Sequence, residues 1–259
     1  MTTIFTSHKF SIEECPNNLR KNLDKWRLLN PSYDFKYYND DDMNSWMKEN
    51  VSETTFGLFN RLNTGAAKAD MFRICLLHTD GGIWFDTDLP AFDISKERAD
   101  FQELLVENEA VLIRNRRCDN PRYTLIAGSK GSHLFKLLQD TICNKIQDCV
   151  SQGLSTDTIN ITGPFTLHKI LLEMCGFENV LRAGPRAAWP QGFAFTGSIE
   201  LNQAYEISNG IKFIYINDVV PRVPGTGPQA YQKENTYEGY ESDLLEMDVS
   251  HHTSSKAVN

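Results

Sequence analysis

Two aspartates one residue apart, Asp86 and Asp88 with Thr87 between them, offer hard carboxylate oxygens of the kind that Mg2+ and Mn2+ prefer. Both can face one cation only if the backbone bends between them, as it may just past the end of a strand. Such ions keep coordination sites for water and phosphate, so the pair suits a cation held against the diphosphate of a ligand. The same residue types also serve turns and helix caps. Asp40-Asp41-Asp42 illustrates that role, since it precedes a helical pattern whose N-terminus it caps and complements. Upstream, Asp70 and Arg73 stand three apart, hence on one helical face, beside the small Ala66 and Ala69. They are either an acceptor and a planar donor displayed together to a ligand, or a surface ion pair worth about 0.3 kcal/mol.

The elements around these residues must bring them together. Ile4-Phe5-Thr6 reads as a first strand emerging into a loop at Ser7-His8-Lys9. Leu19, Leu23, Trp26 and Leu29 then repeat at helical spacing until Asn30-Pro31 ends the pattern. Tyr33 to Tyr38 alternates as a second strand, and Met43, Trp46 and Met47 mark another helix. Gly65 to Thr79 contains no interior breaker and reads as a helix stopped by Gly81-Gly82. Ile83-Trp84-Phe85 is a short buried strand running into Asp86, which sets the acidic pair at a strand's carboxyl end, where open α/β sheets bind ligands. Strands are expected at 110–113, 125–127 and 211–216, and helices at 132–146 and 165–175. Residues 1–223 are expected to form one α/β domain. The polar segment 224–259, rich in Gly, Pro and charge, is expected to be a lid or a flexible tail.

Bulk properties narrow the function. A chain of 259 residues with 41% hydrophobic content can bury a substantial core without disulfides. Its net charge of −8 repels a polyanion, which argues against nucleic acid as a partner. The six cysteines show no Cys-x-x-Cys pair and several sit in apolar runs, as reduced thiols do. No stretch has the length of a membrane span and Met1 to Phe10 lacks a signal-like apolar run, so a cytoplasmic or otherwise soluble intracellular protein is expected.

The block Gly65-Ala-Ala-Lys-Ala-Asp-Met-Phe-Arg73, Leu-Leu-His-Thr-Asp-Gly-Gly82 and Ile83-Trp-Phe-Asp-Thr-Asp-Leu89 closely resembles the sugar-binding region of DXD-containing glycosyltransferases related to family 32. The resemblance extends through Trp26, Asn30-Pro31, Tyr37-Tyr38-Asn39-Asp40, Ala127-Gly128-Ser129 and Thr162-Gly163-Pro164. It implies a GT-A fold, a Rossmann-like nucleotide-binding domain with a mixed central sheet flanked by helices. It further implies Mn2+ or Mg2+, a nucleotide-sugar donor (UDP- or GDP-linked), a glycan or glycoconjugate acceptor, and retention of anomeric configuration. Carried over residue by residue, it gives Asp88 direct metal coordination and Asp86 the metal shell and the ribose. Asp70 and Arg73 would grip donor-sugar hydroxyls, with Thr87 also at the donor. Thr6, Ser7 and His8 would lie near the base, and Trp84 stands where relatives often carry Tyr, its indole N–H replacing a hydroxyl. His251 or His252 is a further candidate ligand, from the segment that covers the diphosphate in relatives. Two other readings remain: a degenerate module that binds a nucleotide-sugar or glycan without transfer, and a metal-dependent phosphohydrolase.

Overall fold

The computed structural model describes residues 2–95, 101–114, 121–153, 155–156, 158–175, 179–180, 194–195, 203–206, 211–216 and 255–256. In chain order these form β1 (Thr3–Ser7), α1 (Asn17–Leu29), β2 (Asp34–Tyr38), α2 (Asp40–Asn50), α3 (Glu53–Phe59), α4 (Gly65–Thr79) and β3 (Gly82–Phe85). There follow α5 (Phe101–Glu107), β4 (Ala110–Arg114), β5 (Pro121–Gly128), α6 (His133–Ser151), β6 (Ser155–Thr156), α7 (Thr158–Ile161) and α8 (Pro164–Cys175). The last are β7 (Asn179–Val180), β8 (Ala194–Phe195), β9 (Gln203–Glu206), β10 (Lys212–Ile216) and β11 (Ser255–Lys256).

Seven strands make one sheet in the order β2-β1-β3-β5-β4-β10-β9. It is mixed: β1 runs parallel to both β2 and β3, β5 is antiparallel to β3 and β4, and β10 is parallel to β4. This is the α/β architecture expected, a mixed central sheet flanked by helices. From β1 the chain goes outward to β2 and then returns to place β3 on the other side, so the order reverses between β1 and β3. Ligands collect at such a switch point because the two strands feed their following loops in opposite directions and leave a crevice. Ile4 faces Ile83 and Phe5 faces Trp84 in parallel register, so the loop after Ser7 and the acidic pair after Phe85 open at the same edge.

Side chains alternate across most of the sheet, with an irregularity in β5 before Leu125. Phe5, Trp84, Leu112, Ile126 and Phe213 join the core under α4, α6 and α8. Ile4, Ile83, Phe85, Val111, Leu125 and Ile214 join the opposite core with Leu23 and Trp26 of α1 and Phe101 of α5. Helix α4 is the hub of the first layer. Ala67 and every residue from Asp70 to Leu77 are buried, so this helix carries Asp70 and Arg73 into the interior and leaves Lys68 half-buried. Thr64 caps it, its hydroxyl accepting from the Ala67 N–H at 3.2 Å. At α2 the cap is Asn39, in a reciprocal box with Asp42, and Asp40 to Asp42 fill the first turn as expected. Among the described residues, no helix is long and apolar enough to cross a membrane. Of the segment 224–259 only Ser255–Lys256 is described, paired antiparallel with Ser155–Thr156.

The turn from α4 into β3 depends on glycine. Gly82 has φ 121°, and a Cβ there would stand 2.5 Å from the Thr3 carbonyl oxygen and 2.6 Å from the Phe5 ring. Gly131 also has positive φ, 80°, but opens on empty space. Gly82→Ala is therefore expected to cost about 3 kcal/mol or more, and Gly131→Ala only about 1 kcal/mol. The difference in urea midpoint between the two variants measures how tightly the start of β3 is locked against β1.

Candidate functional site

Arg73 stands at the centre of the site. Its Nη2 lies 3.1 Å from Asp70 Oδ1 and 3.1 Å from Asp86 Oδ1, joining the helix carboxylate to the first aspartate of the acidic pair. Nη1 donates to the Tyr123 carbonyl at 2.7 Å and Nε to the Ala69 carbonyl at 3.4 Å. The guanidinium plane sits between two rings, 4.9 Å from Trp84 and 5.4 Å from Tyr123. The side chain is only 6% exposed. The Asp70–Arg73 pair is thus not the solvated i,i+3 pair that its spacing also allowed. With Nε, one Nη1 proton and both Nη2 protons engaged, a single Nη1 proton is left for a ligand.

The acidic pair follows from the end of β3. Asp86 donates its N–H to the Thr124 carbonyl at 2.9 Å, the last rung between β3 and β5, and its own carbonyl accepts from the Leu89 N–H at 2.8 Å, which turns the chain. Trp84 is buried, and its Nε1 donates to Asp86 Oδ1 at 2.9 Å. Both contacts, from Arg73 and Trp84, fall on Oδ1 and leave Oδ2 outside them. Asp88 forms no ion pair among the described residues. Burial pushes its carboxyl up to about 6, the Asp86 charge adds to the rise, and its own backbone N–H, Arg73 and Arg122 pull against it. Asp70 is pushed up to about 7, first by burial and then by Asp86, with Arg73 and the Thr162 hydroxyl opposing. Asp70 and Asp86 share one guanidinium, and a divalent cation at Asp86 and Asp88 would relieve the repulsion within the acidic pair. Two oxygen ligands are what Mg2+ or Mn2+ take when substrate phosphate and water supply the rest. Among the described residues no group of three or more His, Cys, Asp or Glu side chains is placed to hold a metal.

Helix α1 fixes the loop that carries Asp88. Asn22 donates to the Thr87 carbonyl at 3.0 Å and the Leu89 carbonyl at 2.8 Å, and accepts from the Ala91 N–H at 3.1 Å. Trp26 Nε1 donates to the Leu89 carbonyl at 2.9 Å. Asn30 donates to the Phe92 carbonyl and accepts from the Ile94 N–H, each at 2.9 Å. Spaced by four, the three side chains share one helix face and replace the strand partner that residues 87–94 lack. Sequence reasoning missed Asn22. The clue was available, since an Asn–Trp–Asn column at helical spacing beside Leu19 and Leu23 is a row of donors on a buried face.

The other expected residues fall as follows. Thr6 is fully buried at the end of β1, with Ser7 and His8 after it. His8 is held neutral, its pKa lowered to about 4 by burial and by Lys9, and its Nδ1 accepts from the Phe10 N–H at 3.4 Å. Its ring lies 5.4 Å from that of Phe10. Thr87 is 6% exposed and takes part through its carbonyl. Thr162 at the head of α8 donates to Asp70 Oδ2 at 3.4 Å. His78 bonds the Ser132 carbonyl at 3.0 Å, the structural role its apolar helix suggests. His251 and His252 lie outside the described residues.

Residues 16–93 match the model of the glycosyltransferase sugar-binding region containing DXD motif. This match spans α1, α4, β3 and the acidic pair, all the elements that meet at Arg73 except β5 and α8. Two solved structures are similar in outline. PaToxG glycosyltransferase aligns at 15% identity over 66% of this chain and 69% of its own, with a TM-score of 0.49. The apo-form glycosyltransferase GlyE of Streptococcus pneumoniae TIGR4 aligns at 13% identity over 99% of this chain and 66% of its own, with a TM-score of 0.37. Similarity at that level bears on neither donor nor acceptor. A comparison with curated proteins found no match.

Arg73→Lys tests the bridge. A lysine keeps the charge but cannot span two carboxylates and a carbonyl from one planar fork. A surface pair would lose about 0.3 kcal/mol, whereas breaking this buried one is expected to lower unfolding free energy by about 3 kcal/mol. Urea denaturation distinguishes the two.

Proposed function

We propose that this glycosyltransferase moves a sugar from a UDP- or GDP-linked donor to a hydroxyl of a glycan or glycoconjugate, with retention of anomeric configuration. The observation that carries the reading is the buried Asp70–Arg73–Asp86 bridge with Asp88 beside it, at the carboxyl ends of adjoining parallel strands and inside the matched sugar-binding region.

Asp86 and Asp88 hold a divalent cation, Mn2+ or Mg2+, which when bound acts as a Lewis acid on the departing diphosphate. Among the described residues Asp88 forms no ion pair, which leaves its carboxylate to the metal, and Asp86 offers Oδ2 to the metal shell and the ribose. Asp70, anchored by Arg73, accepts from a hydroxyl of the donor sugar and fixes the ring relative to the bond that breaks. Arg73 contributes its remaining proton to the sugar and otherwise keeps the carboxylates at their spacing. Thr6, Ser7 and His8 line the side where the base lies. A positioned array of this kind lowers the barrier because the fixed charges need no rearrangement as charge develops. Under retention the acceptor hydroxyl enters on the face the diphosphate leaves, and a phosphate oxygen takes its proton, so no further carboxylate base is required of the chain. Hydrolysis of the donor is suppressed only if water is kept from it; the segment 224–259, expected as a lid or flexible tail, lies outside the described residues apart from Ser255–Lys256, and so do His251 and His252.

Titration calorimetry with UDP- and GDP-linked sugars, with Mn2+ and then with EDTA, tests the reading. Binding of one donor class that EDTA abolishes is expected, with slow hydrolysis of that donor when no acceptor is present. Asp88→Asn is expected to reduce metal-dependent turnover by at least about a hundredfold, the order lost when one electrostatic contact to the transition state is removed, while the fold persists by circular dichroism. Turnover equal to the parent protein's would rule out the metal role of Asp88.

A further inference from the structure

Among the described residues, three side-chain hydroxyls are buried without a hydrogen-bond partner: Thr6, Tyr123 and Thr124. Each would cost the fold free energy if it stayed unbonded, so native proteins keep few of them. Their positions are not scattered. Thr6 is the last but one residue of β1, beside the switch point, and Tyr123 and Thr124 lie on β5 where its carbonyls meet Arg73 and Asp86. Of the three, Tyr123 packs on the α4 side of the sheet, the side that carries Asp70 and Arg73.

Tyr123 reaches this place by an irregularity of β5. In a regular strand, residues two apart share a face, yet Leu125 packs into the core beside α1 while Tyr123 packs into the core beneath α4. Between β4 and β5 the register shifts, from Val111 opposite Ala127 to Ile113 opposite Arg122. The surplus residues of β5 form a bulge, a feature that re-aims side chains and gathers beside active sites. Here it turns the Tyr123 ring onto the guanidinium of Arg73, at 5.4 Å, and its carbonyl onto Arg73 Nη1.

We infer that Tyr123 is a specificity-determining residue whose hydroxyl bonds a hydroxyl of the donor's glycosyl unit, next to the group held by Asp70. The inference rests on the proposed donor chemistry. The phenol is 4% exposed, and burial first, then the field of the Asp70 carboxylate, raises its pKa well above the usual value against the pull of Arg73, so it stays a donor. A phosphate at that point would meet the Asp70 charge, and a nucleobase would belong nearer the end of β1. A neutral polyol suits both neighbours, since it can donate to Asp70 and accept from Tyr123. Buried groups built to bond a substrate hydroxyl reject analogues that lack it, because the protein group is then stranded.

Tyr123→Phe separates this role from a structural one. The hydroxyl has no hydrogen-bond partner among the described residues, so the variant is expected to melt no lower than the parent protein. With Mn2+ present it should bind UDP or GDP as the parent does, whichever the parent accepts. Its KM for the matching nucleotide-sugar should rise roughly tenfold with kcat within about threefold, the loss of one substrate hydrogen bond. A panel of deoxy-sugar donors should contain one that the parent and the variant use equally well. A fall in melting temperature of several degrees would mean the hydroxyl is bonded within the protein, and equal handling of the intact donor would mean it touches no sugar; either overturns the assignment while donor binding stands. A parent protein that binds no nucleotide-sugar with metal present overturns the donor chemistry, and this assignment with it.

Discussion

A single guanidinium buried under a sheet organises the site. Arg73 links α4, through Asp70, to the end of β3, through Asp86, and to β5, through the Tyr123 carbonyl. Desolvating a cation is costly, and only such complete pairing makes it tolerable. The pairing works in the other direction as well. Asp70 and Asp86 are like charges with little water to screen them, and without the cation between them they would separate or take up protons. The distance between the helix and the strand end is therefore set by charge balance as much as by packing.

Much of this was visible in the chain. The α4 boundaries, Gly65 to Thr79, agree with the run free of interior breakers and the paired glycines that stop it. The strand-then-aspartate order of residues 83–88 was equally plain, because a short apolar run ending in a charged turn has few alternatives. The polar segment could be read only as lid or tail, and the assignment of its histidines falls outside the described residues. What the sequence left open was depth. An Asp and an Arg three apart look the same on a solvated helix and on one buried all round, and the helix α4 is apolar on too many sides for a simple face to be read.

Other features had weak local signals or none. Helices α3 and α5 are seven residues each, too short for apolar periodicity to identify. Pro121 stands at the first position of β5, where a strand tolerates it, and no Gly or Pro falls between Arg122 and Ala127 to announce that Tyr123 leaves the face of Leu125. Its position follows from pairing with β4 and β3 together, which is a property of the sheet.

The column on α1 carries a different implication, for the order in which the molecule assembles. Asn22, Trp26 and Asn30 bond backbone groups 62 to 69 residues farther along the chain. Loops of that span close slowly, since their entropy is spent before any contact repays it. A nascent chain can hold β1, α1 and β2 and still have no acidic loop. Only after residue 94 has been made can the first helix of the protein shape the turn on which its chemistry depends. The turn that carries the acidic pair thus takes its shape only after the helix that shapes it, although both lie in the N-terminal half of the chain.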